Sequence, residues 1–220
     1  AAVGAADAAT PIRSLLGKPV EALPTPALVV DAEALEHNLN LLAAYFAGRP
    51  AKLRPHFKSH KCVTLAKRQL AGGSAVGITC AKLSEAEVLV AGGIDDVLIA
   101  NEVVGPEKAQ RLAVLNRAAT VRAAVDSAAN VAELGSAALA AGVTVGVLVE
   151  VDVGMRRCGV PPGEPALALA RGVQGTRGLR FDGLQAYEGH LVTIPDREER
   201  RQKGVQALAP VLATRQLLES

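Results

Sequence analysis

The stretch Arg54-Pro55-His56-Phe57-Lys58-Ser59-His60-Lys61 places three basic residues and two histidines within eight positions of a 220-residue chain. Such a basic cluster is usually a solvated face, and a loop that contacts phosphate is a second ordinary interpretation. Pro55 restricts Arg54 to extended backbone, which predicts a strand here rather than a helix. Alternation along that strand would place Arg54, His56 and Lys58 on one side. A lysine beside a histidine inside a fold is costly unless the two are paired or take part in chemistry.

Outward from this octet, apolar runs alternate with segments of helical period. The pattern predicts strands at residues 25–31, 52–58, 75–80, 96–100, 120–125, 143–151 and 179–186. It predicts helices at residues 32–46, 60–71, 84–91, 106–118, 127–141, 165–174 and from 198 to the end. Asp31 is a predicted N-cap, and Ser84 with Glu87 has the spacing of a capping box.

Strand–helix alternation with short glycine-bearing links predicts repeated βαβ units and a parallel sheet. Six strands with their helices follow from residue 52 onward. A doubly wound open sheet and an incomplete eight-stranded barrel both fit this count, and periodicity does not choose between them. Residues 1–22, broken by prolines and a glycine, read as a poorly ordered lead-in.

Composition excludes several classes of function. The net charge is +2 and tryptophan is absent, so we expect neither nucleic acid nor a membrane surface as the main partner. No apolar run approaches the roughly 20 residues that span a bilayer. Three scattered cysteines suit a reducing, cytoplasmic compartment better than a disulfide scaffold, and they show no zinc-ligand spacing. The N-terminus is not a whole signal peptide, and whether it was processed for export stays open.

Residues able to carry chemistry gather at predicted strand ends, which in parallel α/β folds meet at one rim. They are Lys58, Asn101, Asp126, residues 152–157 and residues 185–190. A lysine amine reacts with an aldehyde only when it is neutral, which requires a lowered pKa. Burial and a cationic neighbour such as Arg54 or His56 would lower it. Lys61 is the competing lysine, but it would begin the next helix and face solvent.

The octet RPHFKSHK resembles the Arg-Pro-His-x-Lys-x-His-Lys signature of D-threonine aldolases and eukaryotic-type D-serine dehydratases. These are fold-type III pyridoxal-phosphate enzymes, related to alanine racemase through its N-terminal barrel. The resemblance covers the chain from Leu23 onward and implies that Lys58 holds the cofactor as a Schiff base. It also implies a (β/α)8 TIM barrel of the alanine racemase type over residues 23–220. We expect that barrel to be incomplete, with about six βα units and without the C-terminal β domain, as the N-terminal portion of a longer enzyme.

Two later segments resemble the same family. VDVGMRRCGV at residues 151–160 is similar to the racemase segment Asp-Thr-Gly-Met-Asn-Arg-Leu-Gly. This implies that Arg157 contacts the phenolic oxygen of the cofactor, whereas Arg156 is a surface candidate. GLQAYEGH at residues 183–190 resembles the family's segment after the sixth barrel strand. Tyr187 would then bond the phosphate or pack beside the cofactor and Gln185 would line the pocket, although Tyr187 could equally be ordinary packing.

The two histidines of the octet have open roles. His56 would lie beneath the cofactor, and His60 would assist proton transfer at the substrate hydroxyl. Either could equally be a hydrogen-bonded core histidine. The family's divalent metal (Mn, Mg or Zn) is expected in the full-length enzyme, but no residue of this chain inherits its ligands.

The resulting hypothesis is a metal-assisted, pyridoxal-phosphate lyase that cleaves D-β-hydroxy amino acids to glycine and an aldehyde, the D-threonine aldolase reaction. The alternatives are a D-serine or D-hydroxyaspartate dehydratase acting by β-elimination, an amino-acid racemase, and a non-catalytic carrier of pyridoxal phosphate. The resemblance also implies a homodimer. Which D-amino acid is the substrate stays open.

Overall fold

The computed structural model describes residues 14–219, which divide after Leu41 into two compact units. The first unit contains a 3-10 helix, Val20–Ala22, and most of helix α1, Ala32–Phe46. Asp31 caps α1 as predicted, because its Oδ1 accepts a hydrogen bond from the Ala34 amide at 2.8 Å. The strand predicted at residues 25–31 is wrong, since no described strand pairs with this backbone. Of the predicted lead-in, residues 1–13 lie outside the described residues.

The second unit alternates strands and helices in the predicted order. Its strands are β1 Ile78–Cys80, β2 Asp96–Glu102, β3 Thr120–Val125, β4 Val145–Val151 and β5 Leu179–Ala186. Its helices are α2 Val63–Ala71, α3 Leu83–Ala91, α4 Pro106–Leu115, α5 Ala128–Ala141, α6 Glu164–Gly175 and α7 Arg197–Glu219. Among residues 14–219, no helix combines the length and hydropathy needed to cross a membrane.

Within residues 14–219, the sheet has five parallel strands in the order β1-β2-β3-β4-β5, so each strand pairs with its neighbours in sequence. A doubly wound sheet reverses its strand order at a switch point, and this sheet does not. The strand order therefore resolves the alternative left open by periodicity in favour of the barrel-type arrangement.

The octet does not form the strand predicted at residues 52–58. Leu53 and His56 make only isolated parallel bridges, to Ala75 and Thr79, and a 3-10 helix at Phe57–Ser59 follows. The His56 ring explains the break, because its Nδ1 accepts a hydrogen bond from the Lys58 amide and starts a turn. The sheet consequently has five strands where six were predicted.

The core lies between the sheet and its helices. Alternate strand residues such as Val97, Ile99, Val121 and Val147 are at most 1% exposed and pack in one cluster with apolar helix residues. The opposite face of the sheet is polar at several positions, such as Arg122, Glu150 and Gln185. This polar face carries the features that matter for function.

Near the amino ends of the strands, the polar face holds a charge network. Asp96 accepts from Arg54 at 2.7 Å and from Arg122 at 2.8 Å, and Arg122 also reaches Asp182 at 2.7 Å. Arg54 is therefore neutralised by Asp96 and is not the cationic neighbour of Lys58 that alternation predicted. The 3-10 helix breaks the alternation between the two residues.

The capping box predicted at Ser84 and Glu87 is wrong. Helix α3 begins one residue before Ser84, which is thus already inside the first turn. Glu85 takes the capping role instead, since its Oε2 accepts a hydrogen bond from the Ala81 amide at 2.8 Å. Glu87 pairs with an arginine on α4.

Candidate active site

A cavity of about 510 Å³ opens on the polar face near the carboxyl ends of the strands. This volume lies in the range of small-molecule sites. Six residues singled out by name from the sequence line it: His56, Lys58, Asn101, Arg157, Gln185 and Tyr187. The remaining lining residues are Thr79, Ala81, Leu98, Ala100 and Ala186. Residues from five separate segments of the sequence are thus brought to one site.

Lys58 is presented to this cavity by the 3-10 helix Phe57–Ser59. Phe57 is 2% exposed and anchors the helix in the core, which leaves the next side chain free to point outward. Within residues 14–219, no hydrogen bond or ion pair engages the Lys58 Nζ. An amine without a partner at the wall of a cavity is available to react with a ligand.

His56 lies beside Lys58 in the cavity wall. Burial lowers the pKa of its imidazole, and the positive charge of Lys58 lowers it further. The Nδ1 atom accepts the Lys58 amide hydrogen bond, at 3.3 Å. The ring therefore has a structural role at the start of the 3-10 helix as well as a position in the cavity.

His60 does not line the cavity. Its Nε2 lies 3.2 Å from Gln69 Oε1, and its Nδ1 accepts a hydrogen bond from the Cys62 amide at 3.1 Å. Phe57 packs edge-on against the ring, with a centroid distance of 5.5 Å. Both nitrogens are thus engaged within the fold, and proton transfer by His60 would first require its release from Gln69.

Lys61, the competing lysine, is held away from the cavity. It has a left-handed backbone, with φ of 49°, and α2 begins only at Val63. Its Nζ lies 3.6 Å from Glu85 Oε1. The geometry therefore favours Lys58 over Lys61 as the reactive amine.

Arg157 reaches the cavity from the loop after β4. Asp152 Oδ1 fixes this loop by accepting hydrogen bonds from the Gly154 and Arg156 amides, at 2.9 and 3.0 Å. The loop turns Arg156 away, and the Arg157 guanidinium carbon lies 5.2 Å from the centroid of the Tyr187 ring. This distance suits a cation–π contact, which holds the two cavity residues together.

Glu150 was missed by the sequence reasoning. It lies on β4, is 3% exposed, and accepts a hydrogen bond from Gln185 Nε2. Its Oε1 is 4.0 Å from Arg157 Nη2. Burial raises the pKa of Glu150 to about 7. The available signal was a lone charged residue in the apolar run at 143–151, at a position alternating with Val149 and Val151.

The described residues offer no metal centre of their own. Within residues 14–219, no group of three or more histidine, cysteine, aspartate or glutamate side chains is arranged to hold an ion. The expectation that metal ligands lie outside this chain stays a prediction.

Comparison with known proteins gives concordant matches. The family model described as alanine racemase, N-terminal domain, matches residues 30–218. A D-threonine aldolase from an Arthrobacter species is 45% identical over 202 residues, covering 92% of this chain and 53% of that protein. A 3-hydroxy-D-aspartate aldolase from Paracoccus denitrificans is 39% identical over 210 residues, covering 95% and 54%.

A solved structure supports the same relationship. The crystal structure of D-threonine aldolase from Filomicrobium marinum superposes with a TM-score of 0.84 at 45% identity, over 87% of this chain and 52% of that one. The chain therefore spans about half the length of the relatives that it matches.

Proposed function

Because the chain belongs to the family of alanine racemase N-terminal domains, we propose that it carries the cofactor site of a lyase that cleaves D-β-hydroxy amino acids. The resemblance predicted from the octet is confirmed at the level of family and fold. One observation carries the proposal further than family membership. The unpaired amine of Lys58 shares a cavity with Arg157, Gln185 and Tyr187, the residues that the three motifs singled out.

The cavity fits pyridoxal phosphate. Its volume suits a small ligand, and it offers an amine without a partner, a guanidinium and an aromatic ring. Lys58 would hold the cofactor through its aldehyde carbon, Arg157 would face the phenolic oxygen, and His56 and Tyr187 would flank the ring. When bound, the cofactor supplies an electron sink for the bonding pair released at the substrate α-carbon.

The chain's own residues would orient the ligand and set its charge. The fixed positive charge of Arg157 would keep a phenolic oxygen ionised without giving up a proton, because a guanidinium stays protonated. Leu98 and Ala100 supply apolar wall on the β2 side and would exclude water there. His56 keeps a lowered pKa and would present a neutral ring to the ligand.

The proposed reaction is a retro-aldol cleavage. A base takes the proton of the β-hydroxyl, the Cα–Cβ bond breaks as the carbonyl forms, and the α-carbon then takes up a proton. The products are glycine and an aldehyde. His60 is the candidate base from the sequence, and it would need to exchange its contact with Gln69 for the substrate. A divalent metal with ligands outside this chain stays part of the hypothesis for the full-length enzyme.

Trapping the cofactor on the chain tests the proposal. The full-length protein would be loaded with pyridoxal phosphate, reduced with borohydride and mapped by peptide mass spectrometry. We expect the label on Lys58, and we expect Lys58→Arg to abolish both label and aldehyde release from D-threonine. Lys61→Arg is the matched control and should keep the label. A label on Lys61, or none at all, would contradict the assignment.

Dehydration is the second candidate reaction. A D-threo-3-hydroxyaspartate dehydratase from a Delftia species is 31% identical over 188 residues, with 85% of this chain covered. Product analysis separates the two reactions, since elimination releases ammonia and a keto acid instead of glycine and an aldehyde. The proposed divalent metal is tested by adding a chelator to the full-length enzyme, and we expect lyase activity to be lost. The cytoplasmic location and the homodimer stay predictions.

A further inference from the structure

A buried carboxylate lies directly behind two residues of the cavity wall. Glu150 on β4 stands opposite Gln185 on β5 in the sheet register, and its Oε2 accepts a hydrogen bond from Gln185 Nε2. Its Oε1 lies 4.0 Å from Arg157 Nη2. Gln185 and Arg157 line the large cavity, whereas Glu150 does not. Glu150 is therefore placed to act on the ligand only through these neighbours.

The chemistry of Glu150 fixes the orientation of the Gln185 amide. An ionised carboxylate only accepts hydrogen bonds, so the donating nitrogen of Gln185 must face it. The carbonyl oxygen of Gln185 then points the other way. Within the described chain, this oxygen has no hydrogen-bond partner and is not among the buried unpaired atoms. It is consequently open to the cavity that Gln185 lines.

We propose that Glu150 is a positioning residue, whose carboxylate turns the Gln185 amide so that its carbonyl oxygen faces the ligand as a hydrogen-bond acceptor. An acceptor at this place selects a donor on the ligand, namely a hydroxyl or a protonated nitrogen. The identity of that ligand rests on the proposed function. The donor could belong to the cofactor or to the amino acid, and binding measurements separate the two.

The orientation depends on the charge of Glu150. Burial raises the pKa of this carboxyl to about 7, and the negative charges of Glu102 and Asp126 contribute to the rise. The hydrogen bond from Gln185 and the positive charge of Arg157 act in the opposite direction. The charged and titratable groups that surround it are Glu102, Asp126, Arg157 and Cys158. A protonated Glu150 can donate a hydrogen bond, which frees the amide to turn. The acceptor is thus fixed above about pH 7 and released below it.

The test replaces Glu150 by glutamine in the full-length protein. Pyridoxal phosphate affinity is measured by visible absorbance between pH 6 and pH 9, together with KM for D-threonine. In the unsubstituted protein we expect binding to weaken as the pH falls through about 7. Glu150→Gln should weaken binding about threefold to tenfold at pH 8, the loss of one net hydrogen bond, and should remove the pH step. A change in cofactor affinity assigns the donor to the cofactor, and a change in KM alone assigns it to the substrate.

Two further variants make the result decisive. Gln185→Leu removes the acceptor and should weaken binding as much as Glu150→Gln does. The double variant, Gln185→Leu with Glu150→Gln, should bind no more weakly than Gln185→Leu alone. Glu133→Gln is the matched control, since Glu133 is a partly buried carboxylate that accepts from the Gly105 amide at 2.9 Å, outside the cavity. If Glu150→Gln does not fold, Gln185→Leu alone must lose the pH step.

The outcomes separate this inference from the proposed function. The positioning role would be overturned if Glu150→Gln and Glu133→Gln had the same binding affinity, KM and pH dependence. It would also be overturned if the losses of binding from Glu150→Gln and Gln185→Leu added up in the double variant. Either result would leave the lyase proposal intact. An unsubstituted protein that takes no label at Lys58 would overturn both.

Discussion

Residues of the same type have different roles in this site because of where the backbone places them. Lys58 is unpaired at the cavity wall, whereas Lys61, three positions later, faces Glu85. His56 lines the cavity, whereas His60 has both ring nitrogens engaged in the fold. The short 3-10 helix at Phe57–Ser59 produces both differences, because it ends the extended backbone between His56 and Lys58.

Arg156 and Arg157 form a third such pair, and they provide a prediction. Arg157 lines the cavity against Tyr187, whereas Arg156 does not line it and has a left-handed backbone at φ of 54°. We expect Arg157→Ala to cut kcat by about tenfold, or about 1.4 kcal/mol of transition-state stabilisation. It should also shift the pH at which the bound cofactor changes its visible absorption. Arg156→Ala should do neither, and equal effects from both variants would mean that the loop is oriented differently.

The motifs locate most of the cavity residues, but sequence does not reveal their partners. Lys58, Arg157 and Gln185 were found because each lies in a segment that resembles a family signature. Glu150 lies in an apolar run with no such signature, and its contact with Gln185 exists only because β4 and β5 are neighbours in register. Pairing across strands is decided by tertiary structure, which explains why this residue was missed.

At the scale of single elements, the first residue of a helix is set by local side-chain hydrogen bonds. A short sequence pattern does not show which of several candidate residues makes those bonds. The capping box predicted at Ser84 follows a correct spacing rule, yet Glu85 satisfies an amide before the helix and α3 starts at Leu83. Ser127 was predicted to begin helix α5 and is its N-cap. The helix interiors were predictable from periodicity, whereas their first residues depended on these local hydrogen bonds.

This pair of serines yields a prediction about stability. Ser127 Oγ accepts a hydrogen bond from the Asn130 amide at 3.3 Å at the start of α5. Ser127→Ala should therefore cost about 1 kcal/mol in the free energy of unfolding. Ser84→Ala is the matched control and should be neutral or slightly stabilising, because alanine favours a helix interior. Urea unfolding of both variants measures the difference. An equal loss in the free energy of unfolding would show that Ser84 does cap α3, as the sequence predicted.

At the scale of the whole molecule, the parallel alternation and the position of the cavity were predictable, because βαβ units and strand-end chemistry follow general rules. The order of the strands in the sheet was not predictable, since the hydrophobic periodicity is the same in a doubly wound sheet and in a barrel. The number of strands in the sheet also differed from the prediction, with five strands where six were expected. The strand predicted at residues 25–31 has no described partner, and an extended segment without a neighbour forms no ladder.

The same sheet leads to a prediction about association. β5 hydrogen-bonds to β4 along one edge, and no strand within residues 14–219 pairs with its other edge. Open edges of this kind recruit further strands. We expect the isolated 220-residue chain to associate as its concentration rises, with light scattering as the measure. Amides of β5 should then gain protection from hydrogen exchange with concentration, whereas those of β3, paired on both edges, should not change. A monodisperse chain at all concentrations, with β5 as well protected as β3, would show that this edge is already covered.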